Sequence, residues 1–379
     1  FAGEKALVPI LDREIPIITD NYVDREFGSG ALKITPGHDP NDYEIGQRHN
    51  LPIISIMDHA AKVTAEGGPY VGMDRFATRE QIWKDMRSAG LTIRKEPYTL
   101  KVPRTQRGGE IVEPMISTQW FVKIKPMATA ALSAVRDGRI TITPTRFEKT
   151  YFNWLENIRD WCISRQRYFG VPFPVWYPLD AQGECKFDEP IFATADQLPI
   201  DPMSSVPTGY TEEQRGKPNG FRGDPDVMDT WATSSLTPQI ISHWSQDKER
   251  HEKLFPFDIR PQSHEIIRTW AFYTIVKAWI HNNDIPWKHV VISGWILDPD
   301  RKKMSKSVGN VVTPHHLLEE YSSDGVRYWA SRARLGADTA FDEGVLKIGK
   351  KLTTKLFNAS RFVLSQLERV DADIDSLTP

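Results

Sequence analysis

The sequence predicts an α/β protein whose middle is an open, largely parallel sheet. Three observations lead there. Strand-like and helix-like runs alternate from about residue 116 to 335, the grammar of a sheet covered by helices. The run His289 to Leu297 is apolar enough for a central parallel strand. From Phe341 onward, Val345, Leu346, Ile348, Leu352, Leu356, Phe357, Phe362 and Val363 keep a helical period, which marks the start of an all-helical module.

The 379 residues suffice for two or three domains. With 40% hydrophobic and 26% charged residues the chain can build a sizeable core. No apolar stretch approaches the ~20 residues that span a bilayer, so no membrane partner is expected. Phe1 to Lys5 lack the basic-then-apolar layout of a signal peptide. Cys162 and Cys185 cannot by themselves supply a disulfide framework or a four-ligand zinc site; they read as reduced thiols of a cytoplasmic protein. A net charge of −2 leaves no bulk signature of nucleic-acid binding. RNA contacts would have to come from local patches: Arg301, Lys302, Lys303 and Lys306, or Lys347, Lys350, Lys351 and Lys355.

Taken in order, Val8 to Leu11 and Ile15 to Ile18 read as strands, and Gly28-Ser29-Gly30 as a turn before a strand-like Ala31 to Ile34. Asp39 followed by Pro40 looks like a capped helix start, with Asp42 as the first-turn acid. Leu51 to Met57 suits a buried strand, and Thr78 to Ala89 a helix capped by Thr78, with Gln81 at the capping-box position and Gly90 as its stop. Asn153 to Gln166 places Trp154, Leu155, Ile158, Trp161 and Cys162 on one helical face. Pro174 to Tyr177 follows as a strand, residues 178–225 as a Pro/Gly/Asp-rich excursion, and Ser263 to about Ile280 as a long helix.

The sharpest chemical signal is Lys303-Met304-Ser305-Lys306-Ser307, followed by Val308-Gly309-Asn310. Two lysines three apart, with hydroxyls between them and a glycine behind, make a loop that can present ammonium groups to phosphates. This pentapeptide resembles the KMSKS signature of the class I aminoacyl-tRNA synthetases. The stretch from Asn153 to Tyr177 is similar to that family's catalytic core, and Asp226 to Ser235 looks like the Asp-Thr-Trp motif of its valine branch. The resemblance implies the second half of a Rossmann-like catalytic domain over residues 116–335. It further implies part of an α+β editing insert over 1–115 and the beginning of a helical anticodon-binding domain over 336–379. The implied activity is joining valine to AMP and then to tRNA(Val), with ATP and its Mg2+ as cosubstrates, in a monomer.

Carried over residue by residue, the resemblance places Lys303 and Lys306 on the ATP phosphates as catalytic groups. Met304, Ser305, Ser307, Glu265 and Gly294 join them around the nucleotide. Trp231, Ile266 and Trp270 fall on the amino-acid pocket, where an indole face can pack against a branched side chain. The chain departs from the family at Ser263 and Glu265, where glycine and aspartate are usual. Lys33, Thr35, Asp39 and Asp42 match the residues that line the family's hydrolytic editing pocket. Such a pocket has a physical reason: the hydrophobic site of the family's valine branch rejects threonine in favour of valine by only ~100-fold. Relatives often carry zinc-binding Cys-x-x-Cys pairs where this chain has Thr105 and Gly108, and a second knuckle is missing after Trp176-Tyr177; no structural zinc is expected.

The resemblance also places the family's His-x-Gly-His element before Phe1 and the rest of the helical module beyond Pro379, so these residues by themselves are not expected to activate valine. The rival readings are an isoleucyl-tRNA synthetase, a noncatalytic tRNA-binding paralogue, and a free-standing deacylase that would leave the lysine loop unexplained.

Overall fold

In the computed structural model, which describes residues 2–105, 108–306 and 308–368, the chain divides into two units between Thr118 and Gln119. The first opens with an antiparallel hairpin, β1 (Lys5–Val8) and β2 (Arg13–Pro16). Both strands sit earlier than the sequence suggests. The reason is the turn between them, where Ile10 and Asp12 take left-handed backbone at φ 69° and 49°, a conformation no strand continues through. Ala31 to Ile34 and Leu51 to Met57 form no strand; Met57 contributes a single bridge to Val63.

Helix α1 (Pro40–His49) begins as the sequence suggests, with Asp39 accepting from the amides of Asn41 and Asp42. Left-handed Asn50 ends it at φ 50°. Helix α2 (Arg75–Ser88) starts earlier than expected. Asp74 is the cap, accepting from Phe76 and Ala77, and Thr78 instead donates its hydroxyl to the Asp74 carbonyl from inside the first turn. Aspartate is the better cap of the two.

The second unit begins with β3 (Phe121–Val122), α3 (Lys125–Arg136), β4 (Thr141–Thr143), α4 (Glu148–Glu156), β5 (Trp161–Cys162) and β6 (Ser164–Arg165). The helix expected through Gln166 therefore stops at Glu156. Trp161 and Cys162 pair with β3, and the Trp161 indole stacks on Tyr273 at 3.6 Å between centroids. Tertiary stacking and strand pairing override the helical spacing. The Pro/Gly-rich excursion carries a small antiparallel sheet of β7 (Val175–Pro178), β8 (Ile191–Phe192) and β9 (Phe221–Gly223), with β7 in the middle. Then come β10 (Val227–Met228), which pairs with β6, and the short helices α5 (Thr230–Ser234), α6 (Thr237–Ser242) and α7 (Lys248–Leu254).

The centre is a parallel sheet in the order β11–β12–β4, built from β11 (Phe257–Ser263), β12 (Trp287–Ser293) and β4. Helix α8 (Phe272–Asn282) connects β11 to β12. Its buried Phe272, Ile275 and Val276 share one core with Ala128, Ala131 and Val135 of α3 and with Val290 and Ile292 of β12. Ser263 lies beside Ser293, and Val291 beside Thr143, so the three strands present their carboxyl ends on one side. That is where open α/β sheets take ligands.

The chain leaves β12 through β13 (Ile296–Leu297), passes the lysine loop, and continues as α9 (Pro314–Ser331), β14 (Thr339–Ala340) and α10 (Glu343–Leu367). Strand β14 pairs in parallel with β13. Helices α9 and α10 bury Leu317, Tyr321 and Leu346 between them. They approach closely at two glycines: a Cβ on Gly349 would lie 3.1 Å from Gly325 Cα.

Candidate active site

The lysine loop is tied together by side-chain hydrogen bonds. Asp298, almost fully buried, accepts at Oδ1 from the Lys302 amide (2.7 Å) and at Oδ2 from the Asn310 side chain (2.8 Å). These donors hold its carboxyl below the usual carboxylate range, Asn310 most of all. Asn310 in turn accepts from the Ser305 amide at 2.9 Å and donates to the Lys303 carbonyl at 3.2 Å. The Gly309 amide donates to the Ser305 carbonyl, and the Val312 amide reaches Met304 Sδ at 3.5 Å. Asp298 and Asn310 thus brace the loop from both ends. Sequence reading named no role for either, although an Asp before and an Asn after a basic loop are the residue types that bind backbone amides. Lys306 is exposed and forms no ion pair with a described residue; Ser307 lies outside the described residues.

Lys303 points back to the end of β11. Its ammonium lies 2.7 Å from Glu265 Oε1 and 4.2 Å from the centroid of Trp295. The Lys303 ammonium holds the Glu265 carboxyl below its ordinary range. Glu265 stands in a 3-10 turn, residues His264–Ile266, capped by the Ser263 hydroxyl. The helix expected from Ser263 therefore starts as this turn, passes a π-turn at Ile267–Ala271, and becomes regular only at Phe272. His264 packs between Phe147 and Trp295, at 5.9 and 4.8 Å between centroids. Gly294 serves a tight backbone contact: a Cβ there would lie 2.1 Å from the Ala337 carbonyl oxygen.

Of the residues expected at the amino-acid pocket, Trp231 and Trp270 lie on elements joined by a hydrogen bond. Trp231 lies in α5, whose cap Asp229 accepts from the Trp231 amide, from the Trp161 indole at 3.0 Å, and pairs with Arg165 at 2.9 Å. Trp270 donates its indole N–H to the Ser234 carbonyl of the same helix at 3.1 Å. Ile266 is partly buried in the turn before it. Arg260, which sequence reading did not single out, is buried on β11 with its guanidinium 3.1 Å from the Trp270 centroid and 5.8 Å from that of Trp287. Its Nε and one terminal nitrogen have no hydrogen-bond partner among the described residues, and burial lowers its pKa to about 10.

In the first unit, Thr35, Asp39 and Asp42 gather at the start of α1. Asp42, buried, accepts at Oδ2 from the Thr35 amide (2.7 Å) and hydroxyl (3.3 Å). Lys33 is exposed on the preceding segment. Where relatives were expected to carry the first cysteine pair, Arg104 bridges Ile111 and the Thr105 hydroxyl donates to Glu110. Among the described residues no group of three or more His, Cys, Asp or Glu side chains is placed to hold a metal ion, and no helix is long and apolar enough to cross a membrane.

A lysine loop braced over the carboxyl end of a parallel sheet, with an acid and two tryptophans at the next strand, suits nucleotide and amino-acid chemistry. The family model described as tRNA synthetases class I (I, L, M and V) matches residues 16–342. The chain belongs to this family. Several valine–tRNA ligases are similar to it over nearly its whole length. It is 44% identical to the valine–tRNA ligase of Thermobifida fusca over 96% of this chain and 43% of that protein. It is 43% identical to the valine–tRNA ligase of Salinispora tropica over 96% of this chain and 44% of that one. For the valine–tRNA ligase of Rickettsia conorii the figures are 41%, 98% and 45%. The chain thus spans less than half the length of the relatives it matches.

Proposed function

We propose that the protein to which these residues belong is a valine–tRNA ligase. The valine carboxylate attacks the α-phosphorus of ATP, forming valyl-AMP and releasing pyrophosphate. A ribose hydroxyl at the tRNA(Val) 3′ end then attacks the valyl carbonyl and releases AMP. The observation that supports this reading is the loop: Asp298 and Asn310 brace the backbone that carries Lys303 and Lys306, and Lys303 reaches Glu265 at the end of β11. Ammonium groups carried on such a loop can stabilise charge as it builds on the departing pyrophosphate. Mg2+ accompanies ATP and supplies further charge neutralisation on its phosphates.

Glu265 is suited to the adenylate ribose or the substrate amine, and Trp231, Ile266 and Trp270 to the valine side chain. Met304, Ser305, Ser307 and Gly294 complete the nucleotide's surroundings in this reading. The first unit is proposed to hydrolyse threonyl-tRNA(Val), with Asp42, Asp39, Thr35 and Lys33 lining the pocket. The similarity to valine–tRNA ligases favours valine over isoleucine. The test is valine-dependent exchange of pyrophosphate into ATP by the complete protein. Lys306→Ala should lower the rate about 100-fold, the loss typical of one electrostatic stabiliser. An undiminished rate, or exchange driven by isoleucine instead, would reject the reading.

A further inference from the structure

Arg146, Lys149 and Arg268 line one cavity of about 390 Å3 together with Thr150, Asn153 and Trp154. No acid lines it, and none of the three cations forms an ion pair with a described residue. Elsewhere helical lysines are neutralised one turn away, as in Lys253 with Glu249 and Lys347 with Glu343. Like charges gathered without a counter-ion repel, and such a site draws anions.

The placement is built by the fold. Arg146, Lys149, Thr150 and Asn153 recur at the spacing of one helical face, at the start of α4 just past the carboxyl end of β4. Arg268 comes from the π-turn after β11 and lies over the Trp154 indole at 5.4 Å. Arg146 stacks over Phe147 at 4.9 Å and donates to the Gly336 carbonyl. A stacked guanidinium is pre-oriented, so less side-chain entropy is lost when its fork meets a phosphate. The hydroxyl of Thr150 and the amide of Asn153 add neutral donors.

We infer that this cavity binds a phosphodiester group of an RNA strand. Arg146 and Arg268 hold its non-bridging oxygens, and Lys149 acts as a point charge. Free phosphate or pyrophosphate shares this chemistry, but the indole and the Asn153 amide beside the cations suit a ligand that extends beyond the phosphate. The inference rests on the proposed function only for the choice of RNA.

The test measures binding of a valine tRNA transcript, an unrelated tRNA and inorganic pyrophosphate to the chain, titrated from about 50 to 200 mM salt. The triple variant Arg146→Gln, Lys149→Gln and Arg268→Gln should bind the valine transcript about 10- to 100-fold more weakly at low salt, with a salt slope shallower by about 2 to 3. Arg268→Lys, which keeps the charge, should retain most of that slope. Lys248→Gln with Lys253→Gln, on a different helix, should change neither quantity. Melting curves establish that the variants stay folded. Loss of pyrophosphate binding with RNA binding intact would make this a free-anion site and overturn the inference, as would no change with either ligand. Equal losses for both tRNAs would support the inference, because a phosphate contact carries no sequence information.

Discussion

Lys303 and Glu265, a loop cation and a strand-end acid, neutralise each other across 2.7 Å, with the Trp295 ring closing over the ammonium. Both side chains are about half exposed, so the pair itself contributes well under about 1 kcal/mol. A polyphosphate carrying several charges can therefore take Lys303 from Glu265 at little cost. The linkage has a definite sign. Lys303 depresses the Glu265 pKa, so the pairing is fully present above the ordinary glutamate value and fades as pH falls through the lowered one. Lys303→Met should return the Glu265 titration upward to the ordinary range, read by carbon NMR of labelled glutamate. An unmoved titration would show that the pair is not formed in solution.

Asn310 links the two halves of the loop through Ser305, Lys303 and Asp298. Asn310→Asp removes the donor to Asp298 and sets two carboxylates against each other, a repulsive arrangement in a part-buried place. The loop should open: trypsin cleavage at Lys302, Lys303 or Lys306 is expected to speed up about 10-fold, corresponding to about 1.4 kcal/mol of lost local stability. Unchanged cleavage would mean that Asn310 is not the brace.

The loop, the first capped helix and the last helix were legible because each rests on local signals: charge spacing, an Asp-Pro start, an unbroken apolar period. The central parallel strand His289 to Leu297 was legible only in outline, since Gly294 interrupts it and Ser293 ends β12. Strand β11 was not legible at all. Its buried face carries Arg260 and Gln262, and Pro261 lies between them, so nothing alternates as an apolar strand should. Trp161 and Cys162 were misread for the opposite reason. Their spacing fits a helix, but stacking on Tyr273 and pairing with β3 decide their conformation. Trp270 and Ser234 are 36 positions apart, and no local pattern announces their hydrogen bond.

Asp42 holds the Thr35 amide in a buried place, so its two possible roles separate by substitution. Asp42→Ala strands that donor and should cost about 1–3 kcal/mol in urea unfolding of the first unit. Asp42→Asn keeps an acceptor for the amide and should cost under about 1 kcal/mol. If the carboxylate also recognises the threonyl group, both variants of the complete protein should accumulate threonyl-tRNA(Val). Normal hydrolysis by the Asn variant would leave Asp42 as a brace for Thr35 alone.

Arg260 poses a balance between a desolvated charge and its stacking. Its fall to a pKa of about 10 corresponds to at most about 3 kcal/mol against the charged form, less where water reaches it. Stacking on Trp270 and Trp287 returns about 2 kcal/mol. The terms nearly cancel, so Arg260→Met, of similar length, should leave stability within about 1 kcal/mol or raise it. Arg260→Ala instead empties the space between two indoles and should cost about 2–4 kcal/mol. A large loss for the Met variant would mean that the guanidinium has a partner worth more than its stacking.

Gly294 fixes where the loop begins, because β13 starts two residues later and leads straight to Asp298. The backbone of Ala337 and Asp338 occupies the space a side chain would need, with the Ala337 oxygen 2.1 Å from a built Cβ. Backbone cannot rotate aside as a flexible side chain does. Gly294→Ala should therefore push β14 off β13 at a cost of about 1–3 kcal/mol. The amides of Thr339 and Phe341, which donate to the Trp295 and Leu297 carbonyls, should lose hydrogen-exchange protection first. Gly309→Ala offers the comparison: its Cβ meets open space, but the residue sits at φ 75°, so it should cost about 1 kcal/mol by backbone strain alone and leave those two amides protected. Equal protection loss in both variants would show that the loop and the strand pair open as one unit, and that Gly294 does not anchor the loop through this contact.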